Sequence, residues 1–275
     1  MDLTGQVALV TGGSKGLGRA FATALAKAGA SVAITARSKA ELTETAQFIH
    51  QTGIVFAYPA DVTDHLSIKE MVRQVEKTFG PINLLINNAG IFQAFGTIAE
   101  IEPASWWKEM EVNLKGPFLL SRTILPNMIA NGGGRIINIA SGAGNASFET
   151  ISAYCVSKAA LIRFSEILAL ETKSYHISVF AIDPGTVRTT MNDQLIASDQ
   201  AQKQAPFVHQ WMKNVYETGI DTPIEKSVQL VLRIASGEAD VLSGCFLSVD
   251  DDLKNLSQQA QEIEEQEKLK LRLRM

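Results

Sequence analysis

Short runs of uninterrupted apolar residues alternate along the chain with longer segments whose apolar positions recur at helical spacing. Residues 6–11, 31–35, 55–59, 84–87, 135–140, 177–182 and 245–249 are the runs, and each is predicted to be a strand. Between them, residues 19–30 put Phe21, Ala22, Leu25 and Ala26 on one helical face, with Gly29 as the stop. Ser38 caps a helix running to about Gln51, and residues 63–79 form another, closed by Gly80 and Pro81. Strands that are apolar throughout are buried on both faces, as in a parallel sheet with helices on either side. The rhythm continues to about residue 250 with no linker and no internal repeat. It predicts one doubly wound α/β domain over residues 1–254.

Two segments break the rhythm. Residues 186–223 scatter Met191, Leu195, Phe207, Trp211, Met212 and Tyr216, which reads either as one more core helix or as a lid over the sheet's carboxyl edge. Residues 255–275 are polar and end in KLKLRLRM, the pattern of a solvated or partly ordered tail or, alternatively, a subunit contact.

Composition narrows the function classes. The 275 residues are 46% hydrophobic and 20% charged, as a folded domain requires, and the net charge of −4 argues against a nucleic-acid surface. No apolar stretch reaches membrane-span length, and MDLTGQ lacks the basic head and apolar core of a secretory signal. Cys155 and Cys245 make no disulfide framework and suit a reducing compartment, so a cytoplasmic location is expected. His50, His65, His176 and His209 are scattered without ligand spacing, so no metal is expected.

Candidate chemistry begins at TGGSKGLG, residues 11–18, between the first strand and the first helix. Gly12, Gly16 and Gly18 permit a tight turn that a pyrophosphate can approach, with Ser14, Lys15 and Leu17 beside it and the helix N-terminus facing the anion. An acid commonly ends the second strand of dinucleotide folds to bind the ribose 2′-hydroxyl. Here that position is Ala36, followed by Arg37 and Ser38. A guanidinium pairs with a 2′-phosphate where a carboxylate repels it, and Lys15 can reach the same group, so NADP(H) is the expected cofactor.

Tyr154 and Lys158 stand four residues apart on a helical stretch, hence on one face. An adjacent ammonium lowers a phenol's pKa toward a usable range, which makes the pair a general acid/base. Ser141 closes the fifth strand, NNAG (87–90) closes the fourth, Asn113 lies in EVNLKGPF, and DPGTVRT (183–189) closes the sixth.

With these motifs in this order over residues 5–250, the chain resembles the short-chain dehydrogenase/reductase family in its compact single-domain branch. The resemblance implies a Rossmann sheet of order 3-2-1-4-5-6-7 and a nicotinamide cofactor. It also implies a tetrad of Asn113, Ser141, Tyr154 and Lys158. In that scheme Tyr154 exchanges a proton with the substrate oxygen, and Ser141 holds that oxygen. Lys158 binds the nicotinamide ribose and acidifies the phenol, and Asn113 anchors a relay water. The family pattern further assigns Asp61 and Val62 to the adenine, Asn88, Ala89 and Gly90 to the adenosine ribose, and Pro184, Gly185, Val187 and Thr189 to the carboxamide. One departure is Val249-Asp250-Asp251-Asp252 where the family has Asp-Gly-Gly, a segment that packs subunits. A homo-oligomer, tetramer or dimer, built on the helices around Asn113 and Tyr154 remains the expectation.

Phe92, Phe95, Asn145, Phe148, Met191 and Trp211 are the candidate substrate contacts. Mostly apolar, they suggest a small-molecule ketone or secondary alcohol of fairly hydrophobic character. A dinucleotide-binding regulatory protein without chemistry is the alternative, and the intact tetrad argues against it. A sugar-nucleotide epimerase fits neither the glycine spacing nor the absence of a second domain.

Overall fold

All seven runs form strands of one parallel sheet in the computed structural model, which describes residues 1–272. The strands are β1 Val7–Thr11, β2 Ser31–Ala36, β3 Ile54–Pro59, β4 Leu84–Asn87, β5 Gly134–Ile139, β6 Ile177–Asp183 and β7 Phe246–Ser248, in the order 3-2-1-4-5-6-7. Val7 lies opposite Ser31 and Ala8 opposite Leu84, so β1 has β2 on one flank and β4 on the other. Chain order reverses at β1, and a crevice opens beyond its carboxyl end.

The first helices are α1 Gly16–Lys27, α2 Lys39–Ile49, α3 His65–Phe79, α4 Pro103–Met110, α5 Gly116–Ala130 and α6 Ser152–Thr172. The rest are α7 Thr190–Ile196, α8 Asp199–Gln204, α9 Pro206–Thr218, α10 Ile224–Ala235, α11 Leu253–Gln258 and α12 Ala260–Glu265. Phe21, Leu25, Ile34, Leu42, Phe180 and Ile234 fill the core beneath α1, α2 and α10. Met71, Leu85, Ile124, Ile136 and Leu168 fill the opposite core, beneath α3, α5 and α6. Each such side chain contributes about 1.5–3 kcal/mol on burial, which is why both strand faces are apolar.

Local chemistry sets the helix starts. Ser38 Oγ accepts the Glu41 N–H at the head of α2. The Asp64 carboxylate accepts the Leu66 N–H, so α3 begins at His65 rather than at the expected residue 63. Residues 186–223 form three helices rather than one: Thr189 caps α7, Ser198 caps α8, and Pro206 opens α9. Leu195, Ala201, Val208 and Met212 from these helices bury against Phe92, Phe95 and Ile151, forming a small core of their own above the sheet edge.

Residues 255–272 are partly ordered and pack in part on the domain. Asp252 caps α11, and Leu253 and Ile263 are buried in the core beneath α10. The Phe246 N–H donates to the Leu269 carbonyl at 2.8 Å, which ties the returning chain to β7. Beyond it, Glu166 on α6 takes Arg163 and Arg272, each at 2.6 Å. Two well-placed apolar anchors thus outweigh a polar composition. The last three residues of the KLKLRLRM run lie outside the described residues. Ile263→Ala is expected to cost about 2–4 kcal/mol in urea unfolding, the range for a buried aliphatic truncation, whereas a tail in solvent would lose almost nothing.

Candidate active site

A cleft of about 450 Å³ runs along the carboxyl edge of the sheet, from Lys15 and Arg37 at one end to Tyr154 and Met191 at the other. Of the expected cofactor residues, Gly12, Ser14, Lys15, Gly16, Leu17, Arg37, Ser38, Asp61, Val62, Asn88, Ala89, Gly90, Pro184, Gly185, Val187 and Thr189 line it, as do Tyr154 and Lys158. Gly18 does not line the cleft. It packs against the Gly12 carbonyl, leaving no room for a Cβ, so its role is to bring α1 against the turn.

The turn is held from across the crevice. Asn88 Nδ2 donates to the carbonyl of Thr11 at 2.8 Å and to that of Gly12 at 3.3 Å. Thr11 Oγ1 in turn accepts the N–H groups of Asn88 and Ala89. Gly12 (φ 62°) and Gly16 (φ 52°) adopt left-handed backbone, and a Cβ on Gly12 would meet Asn88 Nδ2 at 2.9 Å. Among the described residues no side chain caps the N-terminus of α1, so its first-turn N–H groups are left for an outside anion. These features fit a dinucleotide pyrophosphate.

At the Lys15–Arg37 end the charges are mixed. Glu41, which sequence reasoning missed, accepts Ser14 Oγ at 2.9 Å and pairs with Lys15 at 3.5 Å. Burial pushes the Asp61 carboxyl up, but two hydrogen bonds from Thr63 and the charges of Arg37 and Lys108 bring it below its ordinary value.

At the other end stand the four tetrad positions. Asn113 sits in a π turn, Glu111–Lys115, between α4 and α5, a local distortion often found at functional sites. Its Oδ1 accepts the Ile91 N–H at 2.8 Å, and its Nδ2 donates to the Ile91 carbonyl and Ser157 Oγ. Both amide donors are therefore committed to protein partners, and the side chain secures a loop rather than reaching into the cleft. Lys158 Nζ donates to the Ile139 carbonyl at 2.8 Å and lies 5.5 Å from the centre of the Tyr154 ring. Burial depresses the ammonium to about 8, against the pull of Glu109 and Asp183.

Tyr154 departs from expectation. Burial pushes its phenol well above the ordinary value, and nearby Glu109 and Asp183 push the same way, while a hydrogen bond with Ser141 opposes them. With Lys158 engaged by the Ile139 carbonyl, the dominant influence on the phenol here is burial. Ser141 itself lies at the end of β5, where its Oγ also accepts the Ala143 N–H at 3.2 Å.

The expected substrate contacts divide. Phe92 and Met191 line the cleft, and the Phe92 ring lies 4.3 Å from that of Tyr154. Phe95 is buried behind Phe92 at 5.3 Å. Asn145, Phe148 and Trp211 are exposed and outside the cleft. Gln93, Asn192 and Gln194 line it instead, adding polar groups that apolar periodicity could not reveal. Glu109, one turn before Asn113, was also missed. Its Oε2 accepts the N–H groups of Gln93 and Ala94 at 2.9 and 3.0 Å. Cys155 is half-buried among the residues packed by α7–α9. Among the described residues, no group of three His, Cys, Asp or Glu side chains is placed to hold a metal.

A family model described as short chain dehydrogenase matches residues 6–200. The chain is 32% identical to the short chain dehydrogenase pigC of Monascus ruber over 279 residues, covering 98% of this chain and 87% of that one. It is 33% identical to an NAD-dependent glycerol dehydrogenase of Listeria innocua, covering 90% and 94% respectively. A solved structure from Burkholderia xenovorans, assigned to the short-chain dehydrogenase/reductases, superposes with a TM-score of 0.81 at 28% identity, covering 92% of this chain and 98% of that one.

Burial raises the Glu109 carboxyl from 4.5 to about 7. Between those pH values the folded state holds a proton that the unfolded chain releases, so stability falls as pH rises through the window. The whole cost, ~3 kcal/mol, is present above pH 7. Glu109→Gln avoids it. Urea unfolding is expected to show the variant gaining on the parent by about that amount between pH 4 and pH 8, and a constant difference would contradict it.

Proposed function

The chain belongs to the short-chain dehydrogenase/reductase family, oxidoreductases of alcohols and ketones that use nicotinamide dinucleotides, and from that premise we propose an NADP(H)-dependent reductase of a fairly hydrophobic ketone. The carrying observation is that one cleft joins the Lys15–Arg37 end to the Tyr154–Lys158 end. A phosphorylated adenosine suits the first end, because Arg37, Ser38 and Lys15 line it while the strand-end position carries Ala36. Glu41 opposes that preference by its own charge, although half-exposed pairs such as Glu41–Lys15 are weak and yield readily to a phosphate. The Listeria relative is named for NAD. That name bears on that protein and not on this chain's Arg37 end.

A dinucleotide held by the residues of this cleft would supply the hydride. Tyr154 holds the proton at its Oη and passes it to the substrate oxygen, which Ser141 Oγ orients. The Lys158 charge stabilises the phenolate as that proton leaves, and the same residue is placed to hold the ribose. Asn113 acts through the loop it secures. Phe92 and Met191 exclude water from the reacting carbon and favour an apolar substituent, while Gln93 and Gln194 offer polar anchors at the rim.

Two unpaired cysteines favour a reducing, cytoplasmic location, and no helix among the described residues is long and apolar enough to cross a membrane. Exposed Val156, Ile167 and Leu170 on α6, with Phe118 on α5, favour a homo-oligomer built on those helices.

Fluorescence titration is expected to show tighter binding of NADPH than of NADH, and Arg37→Asp is expected to reverse the order. Unchanged selectivity in that variant would remove the 2′-phosphate assignment. Against a panel of ketones, Tyr154→Phe is expected to lose about 10²–10⁴ in kcat while keeping its affinity for cofactor. A variant as fast as the parent would end the proposed proton route.

A further inference from the structure

We propose that Glu109 is a positioning residue that holds the Phe92–Gln93 wall of the substrate site against Tyr154, forming with Asn113 a two-point clamp on the loop after β4. The inference rests on the functional reading above. Residues 91–95 have no regular structure, so their backbone N–H groups need acceptors from elsewhere. Two side chains one turn apart in the α4–π-turn segment provide them. Asn113 takes both the N–H and the carbonyl of Ile91, and Glu109 Oε2 takes the N–H groups of Gln93 and Ala94. Phe92 lies between the two clamped points, with its ring 4.3 Å from the ring of Tyr154. The loop contributes Ile91, Phe92 and Gln93 directly to the cleft.

Glu109 is fully buried, and its second oxygen, Oε1, has no hydrogen-bond partner among the described residues. A chain that needed only packing here would place an aliphatic side chain, since burying half of a carboxylate without a partner is costly. Two convergent N–H groups explain why an acidic acceptor is retained, and Lys158 supplies the compensating charge. The clamp's hydrogen bonds reach only the loop after β4, and Lys158 keeps its own hydrogen bond to the Ile139 carbonyl. The glycine turn and Arg37, at the other end of the cleft, make no hydrogen bond to Glu109 among those described.

The test compares Glu109→Val and Glu109→Gln with the parent full-length protein, by residue-resolved amide hydrogen exchange and by steady-state kinetics with a ketone that the parent reduces. In Glu109→Val the amides of Gln93 and Ala94 are expected to exchange at least tenfold faster, while that of Ile91, held by Asn113, stays within threefold. The KM for ketone is expected to rise about tenfold with the NADPH Kd within twofold, and Glu109→Gln, which keeps a carbonyl acceptor, should fall between. Unchanged exchange at 93 and 94 overturns the proposal, and so does a ketone KM that stays within twofold or a cofactor Kd that weakens in parallel. If Glu109→Val does not fold, the same comparisons apply to Glu109→Gln, with threefold effects expected. Should the parent turn over no ketone or alcohol with either dinucleotide, the functional reading fails. The exchange rates at 93 and 94 then still decide the clamp.

Discussion

Parallel pairing of β1 with β2 on one flank and with β4 on the other is the constraint on which the site depends. It brings the carboxyl ends of β1 and β4 side by side, and only there can a turn from one strand be braced by the loop of the next. The brace is chemical as well as geometric. Thr11 presents its hydroxyl to two N–H groups of the β4 loop, and Asn88 returns two hydrogen bonds to the turn. Each charge-neutral bond contributes only about 0.5–1.5 kcal/mol, but together they fix the distance between the turn and the loop. That distance is too small for a Cβ on Gly12, so the glycine follows from the pairing rather than the reverse.

A second constraint is electrostatic. Tyr154, Lys158, Glu109 and Asp183 share a region poor in water, where Coulomb interactions are several times stronger than in solvent. Burial lowers the Lys158 ammonium. The two carboxylates oppose that, and the ammonium still titrates at about 8. The same carboxylates raise the phenol, while they preserve the cation that stands 5.5 Å from its ring. The Ser141 hydrogen bond is the one influence identified on the phenol that works in the opposite direction, which gives Ser141 an electrostatic task beyond the one proposed for it.

Regular elements of the sheet were legible because continuous apolar runs have one stable solution, and every expected strand is present within two residues at either end. Motifs tied to the backbone were equally legible. A glycine turn, a Tyr–Lys pair at helical spacing and a serine at a strand end carry their geometry with them. The order of the C-terminal segment was less legible, because Ile263 is one isolated anchor within a polar stretch and composition averages it away. Glu109 was overlooked for a related reason. A glutamate among charged neighbours in a helix reads as solvated, and only the fold shows two backbone N–H groups converging on it.

The cleft wall beside Tyr154 was the least legible part, and its construction explains why. Phe92 comes from the loop after β4, Met191 and Gln194 from α7, and Tyr154 from α6, so no single stretch of chain carries the wall's shape. Trp211 and Phe148, large and apolar, seemed better placed than Gln93, yet both face solvent. Hydrophobicity reports a tendency to be buried, not which of several cavities a side chain will border. The chemical groups stand on the ends of strands and on a 21-residue helix, while the wall stands on short helices and loops packed over a core of their own. Changes to α7–α9 can therefore reshape what the cleft accepts without moving Tyr154 or Lys158, and the rigid sheet lets one reaction serve different substrates.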